Sequence, residues 1–314
     1  LLHLNEIKLS FLFSKFKRFS MGDMIALALS GDNFSKSDPH LSGDDWIAHP
    51  FQDARVCGVL DGARSPYYGL KDIAGFPSDV FAARWFKQEM LHQLLDHPFV
   101  PLSAHVQKVN YLYGDMWPQL LMNEGLPYID RKINAPAAAF AFAMLREGQL
   151  TWAQGADCVL YLVLANGQVI KLEGDQFAEI VPEKKNQMTY VSAETLLAKG
   201  TPTEDILRHE NGMIAHNRAL IYNQTGGIAV LNGEPSLNGI MKTGMLDVSA
   251  HLGTGAQVIA MTDGCFQKLG SNYELAAMMA TQQIAEEGLG AFKDMLLNLK
   301  DPFPTDATAV VMAL

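Results

Sequence analysis

No two cysteines in this chain are spaced for a zinc ribbon or a redox turn, and none of its nine histidines falls in an HxH or HExxH pattern. The three cysteines, Cys57, Cys158 and Cys265, cannot all pair. Each lies in or beside a stretch suited to a strand, so they read as small buried hydrophobes in a reducing compartment, the cytoplasm. His209 and His216 stand two turns apart on a predicted helix and read as ordinary surface or core histidines. Long apolar runs are also missing. The longest, residues 137–145, falls far short of the ~20 residues a membrane-spanning helix needs, which excludes integral membrane association. Positive charge is scarce: 24 Lys and Arg against 34 Asp and Glu leave a net charge of -10 and a pI near 5.3. Nucleic acid and anionic membranes need clustered Lys and Arg, so neither is expected as a partner. There is no internal repeat and no low-complexity segment.

What is present is globular material, 48% apolar and 18% charged, with acids in a pattern. Val56 to Leu60 suits a buried strand and runs into Asp61-Gly62, so the carboxylate should leave the sheet edge where the backbone turns. Residues 256–262 repeat the device and deliver Asp263-Gly264, while Asp306 immediately precedes a last apolar strand, 307–314. Three carboxylates at neighbouring strand ends would converge. Such crowding is tolerated when one acid is protonated or a cation holds them, and a divalent metal is the simpler account for three.

Along the chain, residues 1–20 are rich in Phe, Lys and Arg with Glu6 as the one acid. They have the wrong order for a secretory signal. They are expected to be a leader or non-native extension before a natural start at Met21, disordered or a weakly amphipathic helix, with residues 21–314 forming one domain. A strand at 25–29 is followed by a Gly/Asp/Ser/Pro-rich loop ending in Asp44-Asp45. Helices are predicted from Ser78, as cap, to Asp96 and from Leu102 to about Met122, side by side and covering a sheet. A strand-rich block over 138–172, with turns at Glu147-Gly148 and Asn166-Gly167, reads as an antiparallel meander with Asp157 at one junction. Residues 174–254 loosen into short helices and a Gly/Asn-rich run, the length of loop that usually carries function. Two further helices, near 273–287 and 289–299, precede the closing strand.

The ordered set Asp44-Asp45, Leu60-Asp61-Gly62, Gly155-Ala156-Asp157, Met261-Thr262-Asp263-Gly264 and Thr305-Asp306-Ala307-Thr308 resembles the PPM family of metal-dependent phosphatases, the protein phosphatase type 2C family, in its bacterial branch. Each motif alone is weak; five in order over residues 22–314 are fairly specific. The resemblance implies an α+β fold, a four-layer αββα sandwich of two antiparallel sheets flanked by helix pairs. It implies a serine/threonine phosphoprotein phosphatase that hydrolyses phosphomonoesters with an activated water, using two Mg²⁺ or Mn²⁺ ions and a third, weaker site. Carried over by position, Asp61 would bridge two metals and the Gly62 carbonyl would bind one. Asp263 and Asp306 would complete the second, Asp45 would hold a water on the metals, and Asp157 with Asp263 would hold the third. Asp45, Asp61 and Asp263 are thus the catalytic candidates. Oxygen-only ligation suits Mg²⁺ or Mn²⁺.

Two positions depart from the family. Ala63 stands where many members have a His proposed as general acid, and before Asp45 only Lys36 is available where some members place a phosphate-binding Arg. Arg64 is the candidate to take the phosphate, with a structural salt bridge as its other reading. These departures motivate an alternative, a catalytically weak or inactive member that binds phosphoprotein as a regulatory module. Retention of Asp61, Asp263 and Asp306 favours an enzyme, since binding alone needs no complete metal cluster. The implied partner is a phosphorylated protein substrate, and the chain is expected to be a monomer.

Overall fold

The apolar run 137–145 becomes the strand β6 (Ala137–Arg146), and its composition explains the layers on either side. Phe140 and Phe142 point to one side and join a core with helical residues; Ala137, Ala139, Ala141 and Ala143 point to the other and meet a second sheet. A strand covered on both faces has no reason to alternate apolar with polar, which is why it is continuous in the sequence. In this computed structural model the described residues are 24–29, 42–51, 53–189, 193–267, 269–299 and 306–314. The segment 1–20, Met21, Lys36, most of the loop before Asp44, and Thr305 lie outside them.

Among the described residues, ten of the twelve strands form two five-stranded antiparallel sheets. The first runs β1 (Met24–Leu29), β12 (Ala307–Ala313), β11 (Gln257–Met261), β8 (Val159–Val163), β9 (Val169–Glu173). The second runs β10 (Lys242–Asp247), β7 (Gln149–Gly155), β6, β3 (Ala54–Ala63), β2 (Asp44–Phe51). A small ribbon, β4 (Asp72–Ile73) with β5 (Phe76–Pro77), precedes the helices.

Helices α1 (Ser78–Asp96) and α2 (Leu102–Asn123) pack together over the second sheet, through Phe86, Met90, Tyr113 and Trp117 against Ile47, Leu60 and Phe142. Each such large side chain contributes ~1.5–3 kcal/mol by leaving water. The first sheet is covered by α7 (Tyr273–Leu297) through Ala277, Ile284 and Phe292. Between the sheets lies a core of smaller residues, among them Cys57, Val59, Leu160, Val258 and Val310. The architecture is therefore α+β, an αββα sandwich. Gly288, at φ 84 and ψ 165, is not helical, so α7 is two helices that meet at this residue, the pair expected on this face. The short helices α3 (Arg131–Asn134), α4 (Pro182–Lys185) and α5 (Ala193–Ala198) and the longer α6 (Thr203–Ile221) fill the connections, with α6 packed on α3 and α5. Among the described residues no helix is long and apolar enough to cross a membrane.

Three expectations need correction. The block 138–172 is not one meander: β6 pairs with β7 and β8 with β9, but the chain changes sheets between β7 and β8, at the turn holding Asp157. Asp61-Gly62 is not a turn either, because the long partner β6 keeps β3 extended through the pair Ala63–Ala137. Ser78 does not cap α1; Pro77 occupies the cap, and the Ser78 hydroxyl accepts from the Ser65 amide at 3.1 Å.

Candidate metal centre

Strand alternation decides which acids meet. On β3, Cys57, Val59, Asp61 and Ala63 share the face towards the first sheet, whereas Val56 and Leu60 face the helices. Asp61 thus looks into the gap between the sheets. Asp44 lies directly opposite it on β2 and looks the same way. From the first sheet come Asp263, which opens a single 3-10 turn after β11, and Asp306, immediately before β12. The crossover turn supplies Asp157.

Carboxylate oxygens of Asp61, Asp157 and Asp263 all lie within 4.8 Å of one another. Asp61 shares hydrogen bonds with both Asp44 and Asp263. Asp44 also accepts from the Thr262 hydroxyl at 2.7 Å, and Thr262 in turn accepts from the Thr308 amide at 2.9 Å. Asp263 accepts from the Gln267 amide. Asp306 sits at the Asp44 side of the group, outside the tight trio, where it accepts from the Gly43 amide. Gly264 permits this approach: a Cβ there would lie 1.8 Å from the Asp306 carbonyl oxygen.

The trio and Asp44 hold their protons far more tightly than ordinary carboxylates. For Asp44, Asp61 and Asp157 burial is the first cause and the neighbouring acids add to it. Burial also raises Asp263, to about 6. Among the described residues no Lys, Arg or His forms an ion pair with any of the four. Converging, oxygen-only, partly buried and without a basic partner, this donor set fits a hard divalent cation.

Other candidates are placed elsewhere. Asp45, expected to hold a water on the metals, is turned to the helix side of the sheet by the same alternation that brings Asp44 in. Its carboxylate takes Lys87 of α1 at 2.6 Å and the Trp46 amide at 2.8 Å. Gly62 is at the end of β3, where a Cβ would lie 2.3 Å from the Asp79 carbonyl oxygen, so packing alone requires glycine. Arg64 is exposed, and its Nε donates to Asp79 at 2.7 Å, the salt-bridge arrangement. A Cβ on Gly43 would stand 3.2 Å from Asp306 Oδ2 and 3.6 Å from Asp79 Oδ2, so the Arg64–Asp79 pair borders the acids at Asp306. The Arg64 carbonyl accepts from Arg218, which is itself buried.

The fold has neighbours among solved structures. Stp1, a serine/threonine phosphatase from Staphylococcus aureus, superposes with a TM-score of 0.55 at 12% identity, covering 97% of this chain and 99% of that one. The Mycobacterium tuberculosis serine/threonine phosphatase PstP/Ppp gives 0.53 at 16% identity, over 93% and 98%. The PstP catalytic domain in complex with two manganese ions gives 0.52 at 16% identity, over 93% and 97%. This chain has the PPM-type fold. At sequence level no family model and no curated protein matches it. Two residues bordering the candidate site had no role in the sequence reading: Asp44, named there only as part of the Asp44-Asp45 pair, and Asp79, not named at all. Counting faces back from Ile47 distinguishes Asp44 from Asp45 only once Ile47 is known to join the helix-side core; nothing local marks Asp79.

Proposed function

We propose that the chain is a metal-dependent serine/threonine phosphoprotein phosphatase of the PPM type. The observation that carries this reading is the convergence of Asp61, Asp157 and Asp263, with no cationic partner among the described residues, at the edge where the two sheets of the PPM-type fold meet. The manganese in one neighbour and the oxygen-only donor set support Mn²⁺ or Mg²⁺. Asp61, Asp263, Asp306 and Asp157 would hold the ions, joined by Asp44 and by the Gly62 carbonyl. When bound, such ions acidify a water and neutralise charge on the phosphoryl oxygens.

The chain's own groups do the rest. Asp44, fixed by the Thr262 hydroxyl, faces Asp61 and can take a proton from an attacking water. Arg64, paired with Asp79 at the Asp306 side, would meet a phosphoryl oxygen entering from solvent. Ala63, on the same face as Asp61, offers no proton to the leaving alcohol, so solvent must supply it. This favours slow turnover over none, because losing a general acid costs ~10²–10⁴-fold.

The test is hydrolysis of p-nitrophenyl phosphate and a phosphothreonine peptide with Mn²⁺, Mg²⁺ or EDTA, beside Asp61→Asn. Activity that requires the metal and vanishes in the variant is expected. Calorimetric Mn²⁺ binding without hydrolysis would instead support the regulatory, binding-only reading that Ala63 motivates.

A further inference from the structure

Asp157 is carried by an unusual turn. Ala156, just before it, has φ 60, the left-handed region that residues other than glycine seldom occupy, and it is buried in the core between the sheets. Two glutamines surround this residue, 0% and 2% exposed. Gln176 Oε1 accepts from the Ala156 amide at 2.9 Å and from the Ala229 amide at 2.8 Å, and the backbone amide of Gln176 donates to the Ala156 carbonyl at 2.8 Å. Gln154 Nε2 donates to the carbonyls of Ala156 at 3.0 Å, Cys158 at 2.6 Å and Gly174 at 3.1 Å. The residues on both sides of Asp157 are therefore fastened by buried side-chain amides. A flipped Gln154 amide would set its oxygen against three carbonyls, so the orientation is fixed by the network.

We propose that Gln154 and Gln176 are positioning residues for Asp157: together they impose the left-handed Ala156 backbone that aims the Asp157 carboxylate at Asp61 and Asp263. The inference rests on the metal-centre reading above and adds to it the device that keeps the crossover turn in register. An acceptor is needed at 176 and a donor at 154 because the turn presents an N–H on one side and a row of carbonyls on the other, and a hydrocarbon could satisfy neither. Gln176 also donates to the Ile240 carbonyl at 3.3 Å, so the irregular segments that contain Ala229 and Ile240 are anchored to the same point. Supporting groups of this kind typically change metal affinity by ~10–100-fold when removed.

The experiment is Mn²⁺ calorimetry on the full chain and on Gln176→Leu, Gln154→Leu and Asn110→Leu, with kcat and the Mn²⁺ concentration for half-activation measured alongside. Asn110 is the structural control, since its Oδ1 accepts two backbone amides, Asn232 at 3.0 Å and Gly233 at 2.8 Å, away from Asp157. Gln176→Leu and Gln154→Leu are expected to melt cooperatively, to bind their weakest Mn²⁺ about tenfold less tightly, and to need correspondingly more Mn²⁺ for half-activation. Asn110→Leu is expected to leave the isotherm unchanged. Gln176→Glu, which keeps an acceptor for both amides, should restore binding to within about threefold of the parent. If Gln176→Leu fails to fold, Gln176→Glu and Gln154→Leu still decide. Isotherms unchanged in the glutamine variants, or weakened no more than by Asn110→Leu, overturn the proposal and leave the metal centre standing. A parent chain that binds no Mn²⁺ overturns both.

Discussion

Asp44 stands directly opposite Asp61 in the β2–β3 ladder, while Asp45 stands opposite Leu60 and faces α1. The two adjacent acids therefore have separable consequences. Asp44→Asn is expected to raise the Mn²⁺ concentration for half-activation about tenfold or more. Asp45→Asn should leave it within a factor of about two and cost no more than ~1 kcal/mol, the usual worth of a partly exposed ion pair such as Asp45–Lys87. Metal titration of activity with thermal melts of both variants checks this; equal effects on activation would refute the assignment.

Metal-free stability should depend on pH in a defined direction. Asp263 titrates near 6 instead of its ordinary 3.8, and Asp44, Asp61 and Asp157 are also raised. A raised acid holds its proton more tightly in the folded than in the unfolded chain. Its stabilising contribution is full below about pH 4 and is lost as pH rises through about 6. In EDTA, Asp61→Asn, which removes one charge from the group, should gain in melting temperature over the parent as pH rises from about 4.5 to about 7.5. Saturating Mn²⁺ should reverse the order at the upper end. A gap that stays constant with pH in EDTA contradicts the electrostatic account.

Ala63 shares the Asp61 face of β3, so a larger side chain there projects towards the acids. Ala63→His is expected to raise kcat about tenfold on a phosphothreonine peptide, whose alkoxide must be protonated as it leaves. On p-nitrophenyl phosphate, whose leaving group needs no proton, the gain should be smaller than about twofold. A parallel gain on both substrates would indicate a binding effect and not acid catalysis.

All three cysteines are buried and free, and burial pushes the Cys57 thiol up to about 12, with Cys158 and Cys265 also raised. The native chain should therefore resist a thiol reagent at neutral pH and release three equivalents in denaturant. Rapid native labelling at any of them would show that the surrounding core opens readily.

The sequence made some of this legible because single residues carried it. The limits of α1 and the position of α2 followed from periodicity, and Asp263 and Asp306 were placed correctly at strand ends. Asp45 was given the role in place of its neighbour Asp44, because choosing between them requires knowing which face of β2 is buried by helices, and that is set by α1, which begins only at Ser78. The edge strand β10 lies in a Gly-containing stretch, 242–247, whose side chains are largely exposed, so it had neither apolar alternation nor burial to mark it. The crossover at Asp157 looked like one more hairpin turn, since a change of sheet depends on tertiary pairing that local residues do not encode. Gln154 and Gln176 were invisible for the same reason: each amide is informative only once its three backbone partners are assembled around it.

That crossover makes the acidic group an interlock between two separate mechanical bodies. Asp44 and Asp61 ride on one sheet, Asp263 and Asp306 on the other, and Asp157 on the short span between them. A slip of one sheet over the other by a single residue, about 3.3 Å, would be comparable to the whole spread of the trio. The distance among these carboxylates is thus a gauge of inter-sheet alignment, and any ligand bridging them resists shear across the alanine-lined seam of the sandwich.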